Sequence, residues 1–131
     1  MYSLMKIDMP LVIHPVDPAF PIDSQLAVDA SPVVLVNVFT FDKSDEKALL
    51  AAWKHDAEFM KQQAGFISTQ LHRAIGESLV YLNYAVWEST EAFRAAFTNP
   101  EFLGRLSNYP SSVVATPHLF QKVAVSGICV T

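Results

Sequence analysis

Two polar side chains, those of Asn37 and His72, are the first candidates for chemistry in this chain. Asn37 interrupts the apolar run VVLVNVFTF at residues 33–41. Burying a carboxamide without partners costs about 1–3 kcal/mol, so a partner is required. That partner is either a bound molecule, on which the amide stabilises a developing negative charge, or the neighbouring backbone. The sequence leaves these two alternatives open.

His72 is a candidate catalytic base, because an imidazole titrates close to neutral pH. Simple alternation along the strand predicted at residues 66–73 puts it on one face with Phe66, Ser68 and Gln70. A single histidine on a strand more often lies at a surface or an interface, so that alternative also stays open.

Aromatic and amide side chains elsewhere in the chain could form the walls of a binding cavity. Alternation does not say which face of the strand at residues 79–87 would face such a cavity. Trp87 is more often a packing residue, as is Trp53 in its helix. The candidate substrate-binding residues are Trp53, Tyr81, Asn83, Trp87, Phe93, Phe97 and Tyr109.

Composition restricts the class of protein. A chain of 131 residues fits one domain with its own core. It is 51% hydrophobic and only 17% charged, which predicts apolar surface covered by a second copy, and hence a homodimer. The net charge of −4 and the lack of a Lys/Arg cluster argue against nucleic acid as a partner.

Other sites and segments are not indicated by the sequence. The histidines are scattered without metal-ligand spacing, and the chain has only 4 glycines and no phosphate-binding loop, so neither a metal nor a cofactor is predicted. No apolar run suits a signal peptide or a membrane span. The one cysteine, Cys129, agrees with a reducing compartment, so we expect a cytoplasmic protein.

The chain divides into a proline-rich arm at residues 1–32 and a domain at residues 33–131. Prolines concentrate in the first segment, where they favour extended backbone. Its apolar residues, among them Leu11, Ile22 and Leu26, argue against simple disorder. We expect the arm to wrap over the domain or across a partner subunit.

The domain shows a regular alternation of strands and helices. After a strand at residues 33–41, Ser44 is predicted to cap a helix that runs to about Ala64 and ends at Gly65. Its predicted core stripe is Leu49, Trp53, Ala57, Met60 and Ala64. Strands at residues 66–73 and 79–87 follow, then a helix at 90–97 capped by Ser89, a helical turn from Pro100, and a last strand at 117–125.

The order β-α-β-β-α-β is that of a ferredoxin-like α+β fold, in which helices cover one face of a four-stranded antiparallel sheet. The other face then needs a cover. Pairing it with the same face of a second copy is the simplest solution, which predicts a dimeric α+β barrel.

Several segments resemble the antibiotic biosynthesis monooxygenase (ABM) family over roughly residues 33–125. The resemblance rests on LVNVFTF at 35–41, Ala64-Gly65-Phe66, and YAVWES at 84–89 followed by Glu91-Ala92-Phe93. It implies a dimeric barrel with one cavity per subunit, between helices and sheet, and it carries the strand asparagine of the family over to Asn37.

Members of that family include enzymes that oxygenate polycyclic phenols with molecular oxygen and no metal or flavin, and others that degrade haem. In the haem-degrading branch, a tryptophan and a histidine occupy the positions that are Ala96 and Leu106 here. Haem degradation is therefore not expected.

The sequence thus predicts a cofactor-independent monooxygenase that acts on a small aromatic or phenolic molecule, with Asn37 as the donor to the substrate anion. The alternative is a non-catalytic dimer that binds a small apolar ligand or a protein partner, or serves in a stress response. That alternative predicts a closed or purely apolar cavity, with Asn37 bonded to backbone.

Overall fold

The structure, a computed structural model, describes residues 11–131 and consists of one five-stranded mixed sheet with helices packed on it. The part of the predicted arm at residues 1–10 lies outside the described residues. The elements are β1 (Val12–Ile13), α1 (Ile22–Gln25), β2 (Val33–Thr40), α2 (Glu46–Met60), β3 (Phe66–Arg73), β4 (Val80–Trp87), α3 (Thr90–Phe97), α4 (Pro100–Arg105) and β5 (Val114–Phe120).

The strands lie in the order β1-β5-β2-β4-β3, with β2 in the centre. β2 is antiparallel to β4 from Val33 opposite Trp87 to Thr40 opposite Val80, and antiparallel to β5 on its other side. The ferredoxin-like α+β fold is therefore confirmed. The sheet has one strand more than predicted, because the two-residue β1 adds parallel to β5.

The core lies between the sheet and the helices. Leu35 and Phe39 of β2 point into it, and Trp87 of β4 is 1% exposed. The Trp87 ring meets Phe66 edge to face at 5.4 Å and Phe93 of α3 at 5.7 Å. Burying each such side chain contributes about 1.5–3 kcal/mol, so these contacts fix α3 against the sheet.

The start of α2 differs from the prediction. Ser44 does not cap it; residues 43–45 form a 3-10 turn, and the helix begins at Glu46. The carboxylate of Asp45 does not cap the helix either, because it accepts from the Ser112 hydroxyl at 2.6 Å. The same hydroxyl accepts from the backbone N–H of Asp42. These bonds tie the start of α2 to the segment that precedes β5.

The face that α2 buries also differs from the predicted stripe. The fully buried residues are Leu49, Ala52, Asp56 and Phe59, and the helix ends at Met60 rather than Ala64, which is exposed. The predicted helix caps of α3 and α4 are confirmed: Ser89 Oγ accepts from the N–H of Ala92, and Asn99 Oδ1 accepts from the N–H of Glu101.

Gly65 makes the turn between α2 and β3, as predicted. Its φ is +87°, a left-handed conformation that costs other residues strain, and its carbonyl accepts from the N–H of Glu88 at 2.8 Å. A Cβ at this position would overlap the Ala92 side chain, so only glycine lets α3 pack this closely on the turn.

The described part of the arm packs on the domain rather than away from it. Leu11, Ile22 and Leu26 are buried. Gln25, 5% exposed, accepts from the N–H of Leu119 at 2.8 Å and donates to the Phe20 carbonyl at 2.8 Å. A buried amide with both ends bonded fixes α1 against β5.

The last strand starts and ends earlier than predicted, at Val114–Phe120 instead of 117–125. Its true partners are set by β2, whose Thr40 pairs with Val114. The apolar residues beyond it, which suggested a longer strand, are exposed, and Val125 bridges only to Cys129.

In the described part of the chain, no helix covers the face of the sheet opposite to the core. Val36 and Val38 of β2 and Leu82 and Tyr84 of β4 lie there by strand alternation, and we call this surface the uncovered face. No helix in the described residues is long and apolar enough to cross a membrane.

Replacing Gly65 by alanine should lower the free energy of unfolding by about 2–5 kcal/mol, from left-handed strain plus the clash with Ala92. Gly76 is the matched control: its φ is +66°, but nothing lies near an added Cβ. Gly76→Ala should therefore cost only about 1–2 kcal/mol. Urea unfolding measures both, and equal losses would show that the close approach of α3 is not a constraint.

Candidate active site

A cavity lies between the sheet and helices α2, α3 and α4. Its enclosed volume is about 70 Å³, and it is open on one side. Apolar and aromatic side chains form most of its wall, with a few polar groups among them. The lining residues are Leu35, Asn37, Phe39, Trp53, Asp56, Ala57, Met60, Phe66, Thr69, Asn83, Ala85, Trp87, Phe93, Phe97, Phe102, Tyr109 and Pro117.

Asn37 lies in the centre of the sheet and lines this cavity. Its neighbours across the strands are Asn83 on β4 and Pro117 on β5. Its Oδ1 is buried and has no hydrogen-bond partner, and its side chain bonds to nothing among residues 11–131. The amide is therefore not used by the backbone, and it can donate to or accept from a molecule in the cavity.

Asn83 lies directly opposite Asn37 and also lines the cavity. The Thr69 hydroxyl of β3 donates to Asn83 Oδ1 at 2.5 Å. This bond satisfies the Asn83 oxygen and sets the orientation of its amide. Two carboxamides thus stand side by side on the cavity floor.

Asp56 is the site residue that the sequence analysis missed. It lies on α2, is 5% exposed, and its Oδ1 is buried without a partner. Burial raises the pKa of its carboxyl to about 7, although the Tyr109 hydroxyl and the charge of Arg105 both oppose the rise. A carboxyl group in this range exchanges protons readily at neutral pH.

Tyr109 lies beside Asp56 at the cavity wall. Its ring stacks on Phe39 with centroids 6.0 Å apart and planes at 13°. Burial and the neighbouring carboxyl of Asp56 raise the pKa of the Tyr109 phenol, so it keeps its proton and acts as a donor.

Most of the candidate substrate-binding residues meet at this cavity. Trp53, Asn83, Trp87, Phe93, Phe97 and Tyr109 all line it, and so the Asn83 and Trp87 face of β4 is the one that looks toward the helices. Besides Asp56, the sequence analysis missed Met60 and Phe102 as wall residues. The roles of the candidate residues in substrate binding stay predictions.

Tyr81 does not line the cavity. Its hydroxyl donates to Glu46 Oε2 at 2.6 Å, and the Arg73 guanidinium donates to the same oxygen at 2.7 Å. Tyr81 therefore ties the start of α2 to β4, and Arg73 ties it to β3. The structure therefore gives Tyr81 a structural role, through its bond to Glu46, in place of the predicted role in substrate binding.

His72 is also outside the cavity: it is exposed on β3 and is not among the lining residues. The alternation that grouped it with Phe66 fails, because the register shifts between Phe66 and Ser68. The bulge puts Phe66 on the cavity face with Thr69 and leaves His72 with Ser68 and Gln70 on the exposed face. The geometry therefore does not support His72 as a base.

Among residues 11–131, no group of three or more His, Cys, Asp or Glu side chains is placed to hold a metal ion. The residues that replace the tryptophan and histidine of the haem-degrading branch are both buried in the core: Ala96 is 2% exposed and Leu106 is 3% exposed. Neither offers a ligand.

The model of the antibiotic biosynthesis monooxygenase family matches residues 32–104, more than half of the chain. The chain belongs to this family. Asn37, Trp87 and the wall of α3 all fall within the matched residues. Family membership shows the fold, and the reaction has to be argued from the site.

Two comparisons, one of sequence and one of structure, show similarity between this ABM-family chain and Streptomyces nogalater oxygenases. Deoxynogalonate monooxygenase is 36% identical over 76 residues, which make up 58% of this chain and 64% of that enzyme. The chain thus matches less than two thirds of that relative's length. The crystal structure of SnoaB, a cofactor-independent oxygenase, superposes with a TM-score of 0.67 at 28% identity, covering 75% of this chain and 99% of SnoaB.

A second similar crystal structure comes from Shewanella loihica PV-4. It has a TM-score of 0.62 and 29% identity, and it covers 72% of this chain and 97% of its own. All three comparisons leave part of this chain unmatched.

Because the pKa of Asp56 is raised, the free energy of unfolding should depend on pH, which can be measured without any activity assay. The carboxyl binds its proton more tightly in the folded chain, at about 7, than at its ordinary value of 3.8. Wild type should therefore lose stability relative to Asp56→Asn as the pH rises from about 4 to about 7, by about 1.4 kcal/mol per pKa unit, and no further above that.

Urea unfolding at pH 4, 5.5, 7 and 8 checks this expectation. Glu58→Gln is the control, since Glu58 is an exposed carboxylate on the same helix, bonded to Lys54. It should show no gain over wild type with rising pH. A pH-independent difference between wild type and Asp56→Asn would mean that this carboxyl titrates normally.

Proposed function

We propose that the protein is a cofactor-independent monooxygenase that oxidises a small hydroxylated aromatic molecule, with one or more rings, using molecular oxygen. The observation that carries this is the Asn37 carboxamide in an aromatic cavity: its buried oxygen has no partner, and its N–H groups, bonded to nothing among residues 11–131, are free to donate to an anion. The relatives named as a monooxygenase and as a cofactor-independent oxygenase support it.

The chemistry needs few groups. A phenol or enol that has lost its proton can itself give an electron to oxygen, so the protein has to favour the anion and keep water away. The Asn37 amide is a suitable donor to that anion, with Asn83 beside it. Aromatic walls formed by Trp87, Phe93 and Phe97 would bind a flat ring by burial and stacking.

The rival, a non-catalytic binding protein, predicts that Asn37 bonds to backbone. Its unpartnered oxygen favours the oxygenase instead, since a buried acceptor without a partner costs about 1–3 kcal/mol and is kept where a ligand satisfies it. A ligand with a hydroxyl group would supply the missing donor.

The size of the cavity adds a condition. Ligand pockets usually hold about 300–1,000 Å³, far more than the 70 Å³ enclosed here. A ring system must therefore occupy the open side as well, or displace side chains. Trp53 and Met60 of α2 are half-buried, and the unbranched methionine can move at low cost.

Asn37→Ala should lower kcat/KM for oxygen uptake about 10²–10³-fold with an anthrone-type or hydroxyquinol-type substrate, because a preorganised donor to the anion is lost. Oxygen-electrode traces and incorporation of one ¹⁸O atom per product measure the reaction. The control, Gln62→Ala, removes an exposed carboxamide that does not line the cavity.

Equal rates for Asn37→Ala and wild type would exclude Asn37 from the reaction. If wild type bound these compounds without consuming oxygen, the binding-protein alternative would replace the oxygenase. A Soret band on addition of haem would favour the haem-degrading branch instead.

We also propose a homodimer joined through the uncovered face, in the cytoplasm. The apolar side chains of Val36, Val38 and Leu82 on that face support pairing with a second copy. The free, exposed thiol of Cys129 is compatible with a reducing compartment.

Val36→Glu should convert the dimer to a monomer, because each interface would bury unpaired carboxylates. Light scattering coupled to size exclusion measures the mass. Ile75→Glu is the control, since Ile75 is 93% exposed in the turn between β3 and β4. A wild-type mass of one chain would contradict the proposed dimer.

A further inference from the structure

The carboxyl group of Asp56 is a buried acid to which the family resemblance assigns no role. Among the described residues, the ion pairs are Lys54 with Glu58, Arg73 with Glu46, and Arg105 with Glu101, so none includes Asp56. Its Oδ1 has no partner of any kind. Beside the Tyr109 hydroxyl, but without an ion pair and with one oxygen unbonded, this carboxyl is costly to keep in an apolar wall, which points to a use in the cavity.

The groups around Asp56 leave it free to act on a ligand. Arg105 lies nearby, but its guanidinium donates to the His55 carbonyl at 2.6 Å and to Glu101 at 2.9 Å. His55, on the same helix, is exposed and contacts Asn108. Tyr109 is the neighbouring titratable group within the cavity, and it keeps its proton.

Asp56 and Asn37 line one cavity from opposite sides, the first from α2 and the second from the sheet. Each has a buried oxygen without a donor. A ligand that satisfies both must carry donors, and a hydroxyl is the donor that the proposed substrates have. On this basis, and resting on the proposed function, we propose that Asp56 is the catalytic base that takes the proton from the substrate hydroxyl.

In the proposed reaction, Asp56 accepts and returns every proton that is transferred. The Asp56 carboxylate accepts the hydroxyl proton, and the resulting anion passes one electron to oxygen. The substrate radical and superoxide join in a C–O bond, and the peroxide anion takes the proton back from Asp56. Asp56 then removes the remaining hydrogen from that carbon as a proton, the O–O bond breaks, and the departing hydroxide takes this proton to leave as water.

Counted from the keto tautomer of the substrate, in which the hydroxyl hydrogen lies on the reacting carbon, the sum is a CH₂ group and O₂ converted to C=O and H₂O, with Asp56 again a carboxylate. No external reductant is needed, because the substrate supplies all the electrons. A general base acts best when its pKa lies near the working pH, and burial brings the pKa of Asp56 to about 7. Asn37 then stabilises the anion that Asp56 creates.

Anaerobic titration of a hydroxyanthrone-type compound tests the proton transfer apart from oxygen chemistry. At pH 7.5, wild type should shift the absorption of the bound compound to that of its anion. Asp56→Asn should bind the compound, seen by quenching of tryptophan fluorescence, and leave it neutral. Glu58→Gln, which alters an exposed carboxylate on the same helix, should behave as wild type.

Oxygen uptake then tests the catalytic consequence. Asp56→Asn should lower kcat about 10²–10⁴-fold and abolish the rise of rate with pH near 7, leaving a rise that follows the ionisation of the substrate itself. Tyr109→Phe should shift the wild-type rise to higher pH, because the Tyr109 hydroxyl lowers the pKa of Asp56. A merely structural tyrosine would not move this profile.

The outcomes separate this proposal from the proposed function. Oxygen uptake by wild type with equal rates and equal anion spectra in Asp56→Asn would overturn the role of Asp56 alone. No uptake by wild type, with any substrate of this class, would overturn the oxygenase and this role together. Loss of uptake with the anion still formed in Asp56→Asn would mean that another group removes the proton.

Discussion

Two buried oxygen atoms without hydrogen-bond partners, Asn37 Oδ1 and Asp56 Oδ1, set the conditions that the rest of the molecule has to meet. Each costs about 1–3 kcal/mol or more in an apolar wall, against a total stability of about 5–15 kcal/mol for a typical domain. A fold keeps such groups only if its remaining contacts hold the wall in place around them. Water or a ligand hydroxyl then satisfies both oxygens, so the destabilisation is concentrated where a substrate can relieve it.

The scaffold fixes the two groups from separate elements. Asn37 is held by the centre of the sheet, where β2 pairs along its whole length with strands on both sides. Asp56 depends on α2, and that helix is attached at both ends. At its start, Glu46 bonds to Arg73 and Tyr81; beyond its end, the Gly65 turn packs against α3. The spacing between α2 and the sheet is therefore set by contacts outside the cavity, and the cavity itself need not be filled for the helix to stay in position.

The sequence predicted the parts of this arrangement that follow from regular periodicity, and missed those that depend on local departures from it. Asn37 stood out because residues 33–36 before it and residues 38 and 39 after it are all apolar. Asp56 did not, because Lys54, His55 and Glu58 surround it in the chain and a carboxylate in such company normally faces water. The predicted stripe through Trp53 and Ala57 was rotated by about one residue, or about 100°, from the buried line through Ala52, Asp56 and Phe59. A bulge, which has no signature in residue types, moved Phe66 off the face that holds Ser68, Gln70 and His72, and β1 was too short to show alternation.

The walls of the cavity differ in how easily their side chains can move. The sheet floor and α3 are interlocked: Trp87 is 1% exposed and Phe93 is 0% exposed, and their rings pack edge to face. Moving either would break core contacts on several sides at once. The α2 wall is different, since Trp53 and Met60 are only partly buried and Asp56 lies between them in sequence. A ring that needs more room than the cavity offers therefore displaces the α2 side chains Trp53 and Met60 at lower cost than those of the sheet or α3.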